Sequence, residues 1–189
     1  MDHFLFFGDS ITVGQGLARP ETERWSARVA AARGVGEINE GRGGRPASAL
    51  AEFRTVLDGR RDETGITALV LALGANDARE EAADIAVTTA RHVAALIDWT
   101  REAAPHWNIT VCSPYGINRA CLQRQEIAAL RERNLVAIGA ALREMAETRA
   151  CLYVDFEGVL PLGSLVADGV HPDASGHEAL ATAFLAQQT

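Results

Sequence analysis

Short apolar runs alternate with longer amphipathic stretches along the chain. The clearest runs, HFLFF (3–7) and ITALVLALG (66–74), lack the period-two alternation of a strand with one solvent-facing side. Continuous apolar runs of this length are typical of strands covered on both faces, as in a parallel sheet. The pattern predicts five strands, at residues 3–7, 35–39, 66–74, 108–114 and 151–156.

The segments between these runs carry apolar residues at helical spacing. In ASALAEFRTVL (47–57), for example, Leu50, Phe53 and Leu57 fall on one face. Right-handed crossovers place helices on both sides of a parallel sheet, so the pattern predicts an α/β fold. We expect a three-layer α/β/α sandwich with a five-stranded, doubly wound sheet. The predicted helices cover residues 24–33, 47–57, 84–103, 126–147 and 174–187.

No internal repeat, low-complexity tract or linker divides the 189 residues, which predicts a single domain over residues 1–189. In a doubly wound sheet, ligands bind outside the carboxyl ends of the strands. The chemistry of this chain should therefore follow the predicted strands. The segments in question contain Asp9 and Ser10, Gly43 and Gly44, Asn76 and Asp77, the 114–121 loop, and the residues after Phe156.

Composition and charge narrow the class of partner. The chain has 18 Lys and Arg against 25 Asp and Glu, a formal charge of −7. This balance argues against nucleic acid or an anionic membrane as the main partner.

Cys112, Cys121 and Cys151 form no CxxC pair and are odd in number, which favours free thiols. No apolar run approaches the roughly 20 residues of a membrane span, and FLFF is too short for a signal peptide. We therefore expect a cytoplasmic protein.

Ser10 follows the first predicted strand, within FLFFGDSITVGQG. By itself GDS is more typical of a turn than of a nucleophile. A serine hydroxyl is a weak nucleophile unless a general base is adjacent. VADGVHPDASG contains such a base, His171, with Asp168 three residues before it. A turn can fold the carboxylate onto the imidazole Nδ1, which leaves Nε2 free to accept the serine proton.

Two further segments offer hydrogen-bond donors for a developing oxyanion. NEGRGGR (39–45) follows the second strand, and its glycines let backbone N–H groups approach a substrate closely. GAND (74–77) follows the third strand and presents the side-chain amide of Asn76. Each segment also has a plain interpretation. Gly43 and Gly44 are typical of a turn, and Asn76 or Asp77 is typical of a helix cap.

Taken together and in this order, GDS, the 41–44 glycine run, GAND and DGVHP resemble the SGNH hydrolase superfamily, also called GDSL esterases and lipases. The resemblance extends from Phe4 to the last helix and implies the flavodoxin-like SGNH hydrolase fold. It also implies a serine esterase that hydrolyses carboxylic esters through an acyl-enzyme, without a metal or organic cofactor. Ile11 stands where the family motif has leucine. The implied site consists of Ser10 as nucleophile, His171 as base, Asp168 as its partner, and Ser10, Gly44 and Asn76 as the oxyanion hole.

The substrate is less sharply defined, although EGRGGRPAS looks most like the arylesterase and acyltransferase branch. PYGINRACLQRQ (114–125) is predicted to form a pocket wall, with Tyr115 and Ile117 contacting a small-molecule ester. Because this wall is short and polar, it favours small acyl groups. Arg45 is either a surface charge or loop clamp, or a contact for an anionic or sugar substrate. Carbohydrate O-acetyl esterase, thioesterase and lysophospholipase activities are alternatives at the same site.

Two other classes of function compete with a serine esterase. Asp168, His171, Asp173 and His177 lie close in sequence and have the side chains of metal ligands, which allows a metal-dependent hydrolase. We expect His177, in the last helix, at the surface or as a cap. The second competitor is a non-catalytic binding module for carbohydrate or protein, because a fold alone does not establish activity. The oligomeric state does not follow from the sequence.

Overall fold

The computed structural model describes residues 1–122, 124–161 and 163–188. A five-stranded sheet has the order β2-β1-β3-β4-β5, and every neighbouring pair of strands is parallel. The predicted α/β fold with a five-stranded, doubly wound parallel sheet is confirmed. The strands are β1 (His3–Gly8), β2 (Gly36–Gly41), β3 (Ile66–Ala72), β4 (Asn108–Cys112) and β5 (Leu152–Val154).

Helices cover both faces of the sheet. One face carries the core formed with α4, α5 and α6, and the other carries the core formed with α3 and α7. Among the described helices, none is long and apolar enough to cross a membrane. The helices are α1 (Ser10–Val13), α2 (Pro20–Glu23), α3 (Trp25–Arg33), α4 (Leu50–Arg60), α5 (Ile85–Ala103), α6 (Ala128–Thr148) and α7 (Ala174–Ala186), with short 3-10 turns at Asp77–Arg79, Arg119–Cys121 and Gln125–Ile127.

The first strand shows why its sequence is apolar without alternation. Phe6 packs edge-on against Trp25 on one side of the sheet, with ring centroids 5.4 Å apart. Its neighbour Phe7 packs edge-on against Phe53 on the other side, at 5.0 Å. Both phenylalanines are fully buried, and burying a side chain of this size contributes about 1.5–3 kcal/mol. The apolar run therefore anchors β1 from both faces, with its carboxyl end leading directly to Ser10.

Two local features depart from the sequence pattern. Helix α1 is too short to produce a helical period, and it begins because the Asp9 side chain accepts the N–H of Ile11. Helix α4 starts at Leu50, later than expected. The N–H of Ala47 donates to the carboxylate of Asp77, which keeps the residues before Leu50 in a loop.

Of the two roles expected for His177, a position at the surface is wrong. His177 is fully buried where α7 packs against α3, and its Nδ1 accepts the N–H of Trp25 at 3.2 Å. This burial lowers the pKa of His177 to about 4. Asp173 caps α7 instead, since its carboxylate accepts the N–H groups of Ser175 and Gly176.

Candidate active site

Ser10, His171 and Asp168 form a continuous hydrogen-bonded row at the carboxyl end of the sheet. Ser10 is the first residue of α1, and its Oγ lies 2.9 Å from Nε2 of His171. The other ring nitrogen, Nδ1, lies 2.6 Å from Oδ2 of Asp168. An imidazole that donates from Nδ1 to the carboxylate presents an unprotonated Nε2 to the hydroxyl. The row can therefore take a proton from Ser10.

A tight turn brings Asp168 back onto His171. Gly169 has a φ of 72°, a conformation that glycine adopts without the steric strain of a Cβ. Asp168 Oδ1 accepts the N–H groups of Val170 at 2.8 Å and His171 at 3.0 Å. Partial burial alone would raise the pKa of Asp168, but the hydrogen bonds from His171 and from these N–H groups lower it below its usual value. Asp168 is therefore held as an anion.

The backbone N–H groups of Ser10 and Gly44 are candidate hydrogen-bond donors in this region. Within the described part of the chain, neither the N–H of Ser10 nor that of Gly44 donates a hydrogen bond. Gly44 has a φ of 72°, and no atom lies within 4 Å of the position that a Cβ would occupy. Both donors are consequently available to a bound molecule.

The side chain of Asn76 is fixed by three neighbours. Its Nδ2 lies 3.2 Å from Asp9 Oδ2 and 3.1 Å from the carbonyl oxygen of Arg45. Its Oδ1 accepts a hydrogen bond of 2.8 Å from Arg79. These contacts set the plane of the amide and direct its NH₂ group toward Asp9, the neighbour of Ser10, and the Arg45 carbonyl.

A cleft of about 220 Å³ opens at this end of the sheet. Ser10, Gly44, Asn76, Asp168 and His171 all contribute to its lining. The structure therefore gathers into one small cavity the residues that the sequence predicts for nucleophile, base, base partner and oxyanion hole. The cavity lies at the ends of β1, β2 and β3, where the strand order reverses between β1 and its two neighbours.

The sequence matches the GDSL-like Lipase/Acylhydrolase family over residues 6–179. The chain belongs to this family. The match begins in β1 and ends in α7, so it includes every segment that contributes to the cleft. Family membership makes the chain a hydrolase of carboxylic esters.

Solved structures share the fold of this GDSL-family hydrolase. The carbohydrate acetylesterase family member from Sinorhizobium meliloti is 21% identical, covers 97% of this chain and 95% of its own, and has a TM-score of 0.79. The aryl esterase of M. smegmatis is 18% identical, with coverages of 99% and 98% and a TM-score of 0.79. An acetylxylan esterase from Geobacillus stearothermophilus is 22% identical, with coverages of 98% and 93% and a TM-score of 0.74. Among curated proteins, no sequence matches this hydrolase.

Asp9, in the GDS motif of this GDSL-family hydrolase, is buried beneath the cleft. Its Oδ1 accepts the N–H of Ile11 at 2.9 Å, and its Oδ2 accepts from Asn76. Burial raises the pKa of Asp9 from 3.8 to about 6, although the Ile11 hydrogen bond and nearby His171 act in the opposite direction. The Asp9 carboxylate therefore links two parts of the site: the turn that contains Ser10 and the side-chain amide of Asn76.

Arg45 lies below the glycine loop and is not among the residues that line the cleft. Its side chain is only 6% exposed. The guanidinium donates to the carbonyl oxygens of Gly8, at 2.7 Å, and Glu40, pairs with Glu52 at 3.2 Å, and covers the ring of Phe7. These contacts connect the end of β1 to the Gly44 loop. Arg45 thus has the position of a loop clamp, one of the roles that the sequence analysis considers for it.

Tyr115 and Ile117 lie beside the cleft and not among its lining residues. The buried hydroxyl of Tyr115 donates to the carbonyl oxygen of Val170 at 2.8 Å, which holds the loop that carries His171. Ile117 and Tyr115 both line a neighbouring groove of about 710 Å³ along α6. Residue 123 of the predicted 114–125 wall lies outside the described residues.

The cleft also contains two arginines that the sequence pattern does not single out. Arg79 follows Asn76 in a 3-10 turn, and Arg131 belongs to α6. Neither stands immediately after a strand, so the rule that locates chemistry at strand ends gives no signal for them.

The four residues that the sequence offers as metal ligands have different roles in the structure. Asp168 and His171 belong to the row that ends at Ser10, Asp173 caps α7, and His177 accepts the N–H of Trp25. In the described ranges, no three His, Cys, Asp or Glu side chains are grouped so that they could hold a metal ion.

Proposed function

We propose that the chain is a serine esterase that hydrolyses short-chain carboxylic esters through an acyl-enzyme on Ser10. The observation that carries this proposal is the hydrogen-bonded row from Asp168 through His171 to Ser10, with distances of 2.6 Å and 2.9 Å. Family membership supports the reaction class. The row supports the assignment of nucleophile, base and orienting carboxylate.

In the first step, Ser10 Oγ attacks the ester carbonyl carbon while Nε2 of His171 takes the hydroxyl proton. The new bond from oxygen to carbon displaces the carbonyl π electrons onto the carbonyl oxygen. The Asp168 carboxylate stabilises the imidazolium that forms and keeps the ring in place. His171 therefore never needs to rotate between accepting this proton and passing it on.

The negative charge on the carbonyl oxygen is stabilised by the N–H groups of Ser10 and Gly44 and by the Asn76 amide. The two N–H groups are ready in the free enzyme because they donate to no other acceptor in the described residues. The Asn76 amide has to redirect one of its two hydrogen bonds, since it contacts both Asp9 and the Arg45 carbonyl. An oxyanion donor of this kind contributes about 10²- to 10³-fold to kcat.

The tetrahedral intermediate then collapses. The bond from carbon to the leaving oxygen breaks as His171 returns its proton to that oxygen, which releases the alcohol and leaves an acyl group on Ser10. A water molecule repeats the sequence: it donates a proton to His171, attacks the acyl carbon, and releases the carboxylic acid with Ser10 regenerated. No step requires a group from outside the cleft other than water and the ester.

The dimensions of the cleft favour a short acyl group. Its volume of about 220 Å³ is below the roughly 300–1,000 Å³ of sites that enclose drug-sized ligands. The long chain of a lysophospholipid would need the separate groove along α6. A carbohydrate O-acetyl ester is the second candidate substrate, because two of the structural neighbours are named as a carbohydrate acetylesterase family member and an acetylxylan esterase.

The proposal is tested by hydrolysis of p-nitrophenyl acetate. Ser10→Ala removes the nucleophile with almost no change in volume and should reduce kcat to the background rate. Ser48→Ala, at an exposed position in the loop before α4, is the matched control and should retain wild-type kcat. Equal rates for wild type and Ser10→Ala would overturn the proposal.

A further inference from the structure

Arg131 has an environment unlike that of the other buried arginine. It projects from α6 into the lining of the Ser10 cleft, with 7% of its surface exposed. Its Nε is buried and has no hydrogen-bond partner among the described residues, and a terminal nitrogen of its guanidinium donates to the carbonyl oxygen of Ala75 at 3.5 Å. In residues 1–122, 124–161 and 163–188, no carboxylate lies within 4.0 Å of its guanidinium. Arg45, by contrast, is equally buried and pairs with Glu52.

The two carboxylates whose charges act on Arg131, those of Asp9 and Asp168, already accept hydrogen bonds from other groups. Asp168 accepts from His171 and two backbone N–H groups, and Asp9 accepts from Ile11 and Asn76. Their charges act on Arg131 only at longer range. The Arg131 guanidinium is therefore a largely buried cation that lacks, among the described residues, the carboxylate partner that usually compensates for burial.

A second cation faces the same space. Arg79 lines the cleft and donates two hydrogen bonds to Asn76, one to Oδ1 at 2.8 Å and one to the carbonyl oxygen at 3.4 Å. Burial lowers the pKa of Arg131, and the positive charge of Arg79 lowers it further. Two like charges at one cavity repel each other when the cavity is empty, and a bound anion relieves that repulsion.

We propose that Arg131, with Arg79 beside it, binds a carboxylate carried by the ester, so that the preferred substrates are anionic esters. This inference rests on the proposed function and names its substrate class. A planar guanidinium offers paired N–H donors that match the two oxygens of a carboxylate. A carboxylate held by the guanidinium of Arg131 would place the reacting ester in the part of the cleft that contains Ser10 and His171.

The competing explanation is that Arg131 only offsets the charges of Asp9 and Asp168. That role would affect all esters equally, whereas substrate binding affects only those that carry an anion. The informative quantity is therefore a ratio: kcat/KM for an anionic ester divided by kcat/KM for a matched neutral ester. A general loss of activity in a variant cancels in this ratio.

The ratio is measured for p-acetoxybenzoate against methyl p-acetoxybenzoate, where the charge lies on the leaving group. It is also measured for monoethyl succinate against ethyl butyrate, where the charge lies on the acyl group. The wild-type ratio should exceed one in at least one pair, and Arg131→Gln should lower it by about 10- to 100-fold, the usual contribution of a charged hydrogen bond. Arg133→Gln, two residues along the same helix at an exposed position, is the control and should keep the wild-type ratio.

A wild-type ratio at or below one in both pairs would overturn the inference, as would an Arg131→Gln ratio equal to that of wild type. Failure of the proposed function gives a different result, in which none of the four esters is hydrolysed faster by wild type than by Ser10→Ala. If Arg131→Gln does not fold, the inference is tested instead by comparing an anionic and a neutral inhibitor of the wild-type enzyme. Benzoate should inhibit hydrolysis of a neutral ester at a concentration about 10-fold lower than benzamide, and equal inhibition would overturn the inference.

Discussion

The Nε2 of His171 lies 2.9 Å from the Oγ of Ser10, although the two residues are 161 positions apart in the chain. Ser10 is fixed by the buried strand β1 and by the Asp9 cap of α1. His171 is fixed by the Asp168 turn and by the hydroxyl of Tyr115, which holds Val170. The contact thus depends on two independently supported segments, and each support gives a testable prediction.

Replacing Asp168 by asparagine should reduce kcat by about 10²- to 10⁴-fold with little change in KM. The asparagine NH₂ group would face Nδ1 of His171 as a donor, which favours the tautomer that is protonated at Nε2 and cannot accept the serine proton. Steady-state kinetics with p-nitrophenyl acetate measures the effect. Asp173→Asn is the matched control, because asparagine also caps helices well. A kcat for Asp168→Asn within threefold of the control would contradict the role given to Asp168.

Asn76→Ala should lower kcat by about 10²- to 10³-fold while changing KM much less, because the oxyanion role proposed for the amide is stronger in the transition state than with the ground-state carbonyl. The control is Asn108→Ala at the start of β4, at the amino ends of the strands and so away from the cleft. If Asn76→Ala instead raised KM and left kcat intact, Asn76 would be a substrate-binding group without a role in the chemical step.

Asp9 should make the protein less stable as the pH rises. Its pKa is about 6 in the folded protein against about 3.8 in the unfolded chain, so the folded state binds more protons between these values. Relative to Asp9→Asn, the wild-type free energy of unfolding should therefore fall by about 2–3 kcal/mol from pH ~4 to pH ~7. Urea unfolding across this range measures the difference. Parallel pH profiles for the two proteins would show that the pKa of Asp9 is not raised.

Gly169→Ala should disrupt the turn that carries His171. A Cβ at this residue would lie 2.5 Å from the carbonyl oxygen of Asn118, in addition to the strain of a φ of 72°. Gly158→Ala provides the matched comparison, because Gly158 has a φ of 69° and no atom within 4 Å of that position. We expect Gly158→Ala to lower the free energy of unfolding by about 1 kcal/mol and Gly169→Ala to lower it further and reduce kcat.

Equal unfolding free energies for these two glycine variants would mean that Asn118 moves aside at little cost. In that case the crowding near Gly169 would not explain the position of the loop. A normal kcat for Gly169→Ala would likewise separate the turn from the reactivity of Ser10.

Much of this architecture follows from patterns that are local in sequence. The apolar run of β1 predicts a strand buried on both faces, and Phe6 and Phe7 do pack on opposite sides of the sheet. Because parallel strands end at one edge, the segments that follow them converge. That rule is enough to predict that Ser10, Gly44 and Asn76 meet at one end of the sheet.

The features that escaped prediction depend on contacts between distant segments. Arg131 reaches the cleft from the side of α6, and Arg45 is buried by partners that a loop sequence does not reveal. His177 is internal because one face of α7 packs on α3, where Trp25 donates to its ring. Burial of a polar side chain is determined by such tertiary partners, and one sequence contains no direct signal for them.

The central claim, that Ser10 is an activated nucleophile, is tested most directly by labelling the protein with a fluorophosphonate and locating the adduct by peptide mass spectrometry. The account predicts one adduct on Ser10 in the wild-type protein, none in Ser10→Ala, and strongly slowed labelling in His171→Ala. An adduct on another residue, or no adduct on folded wild-type protein, would contradict it.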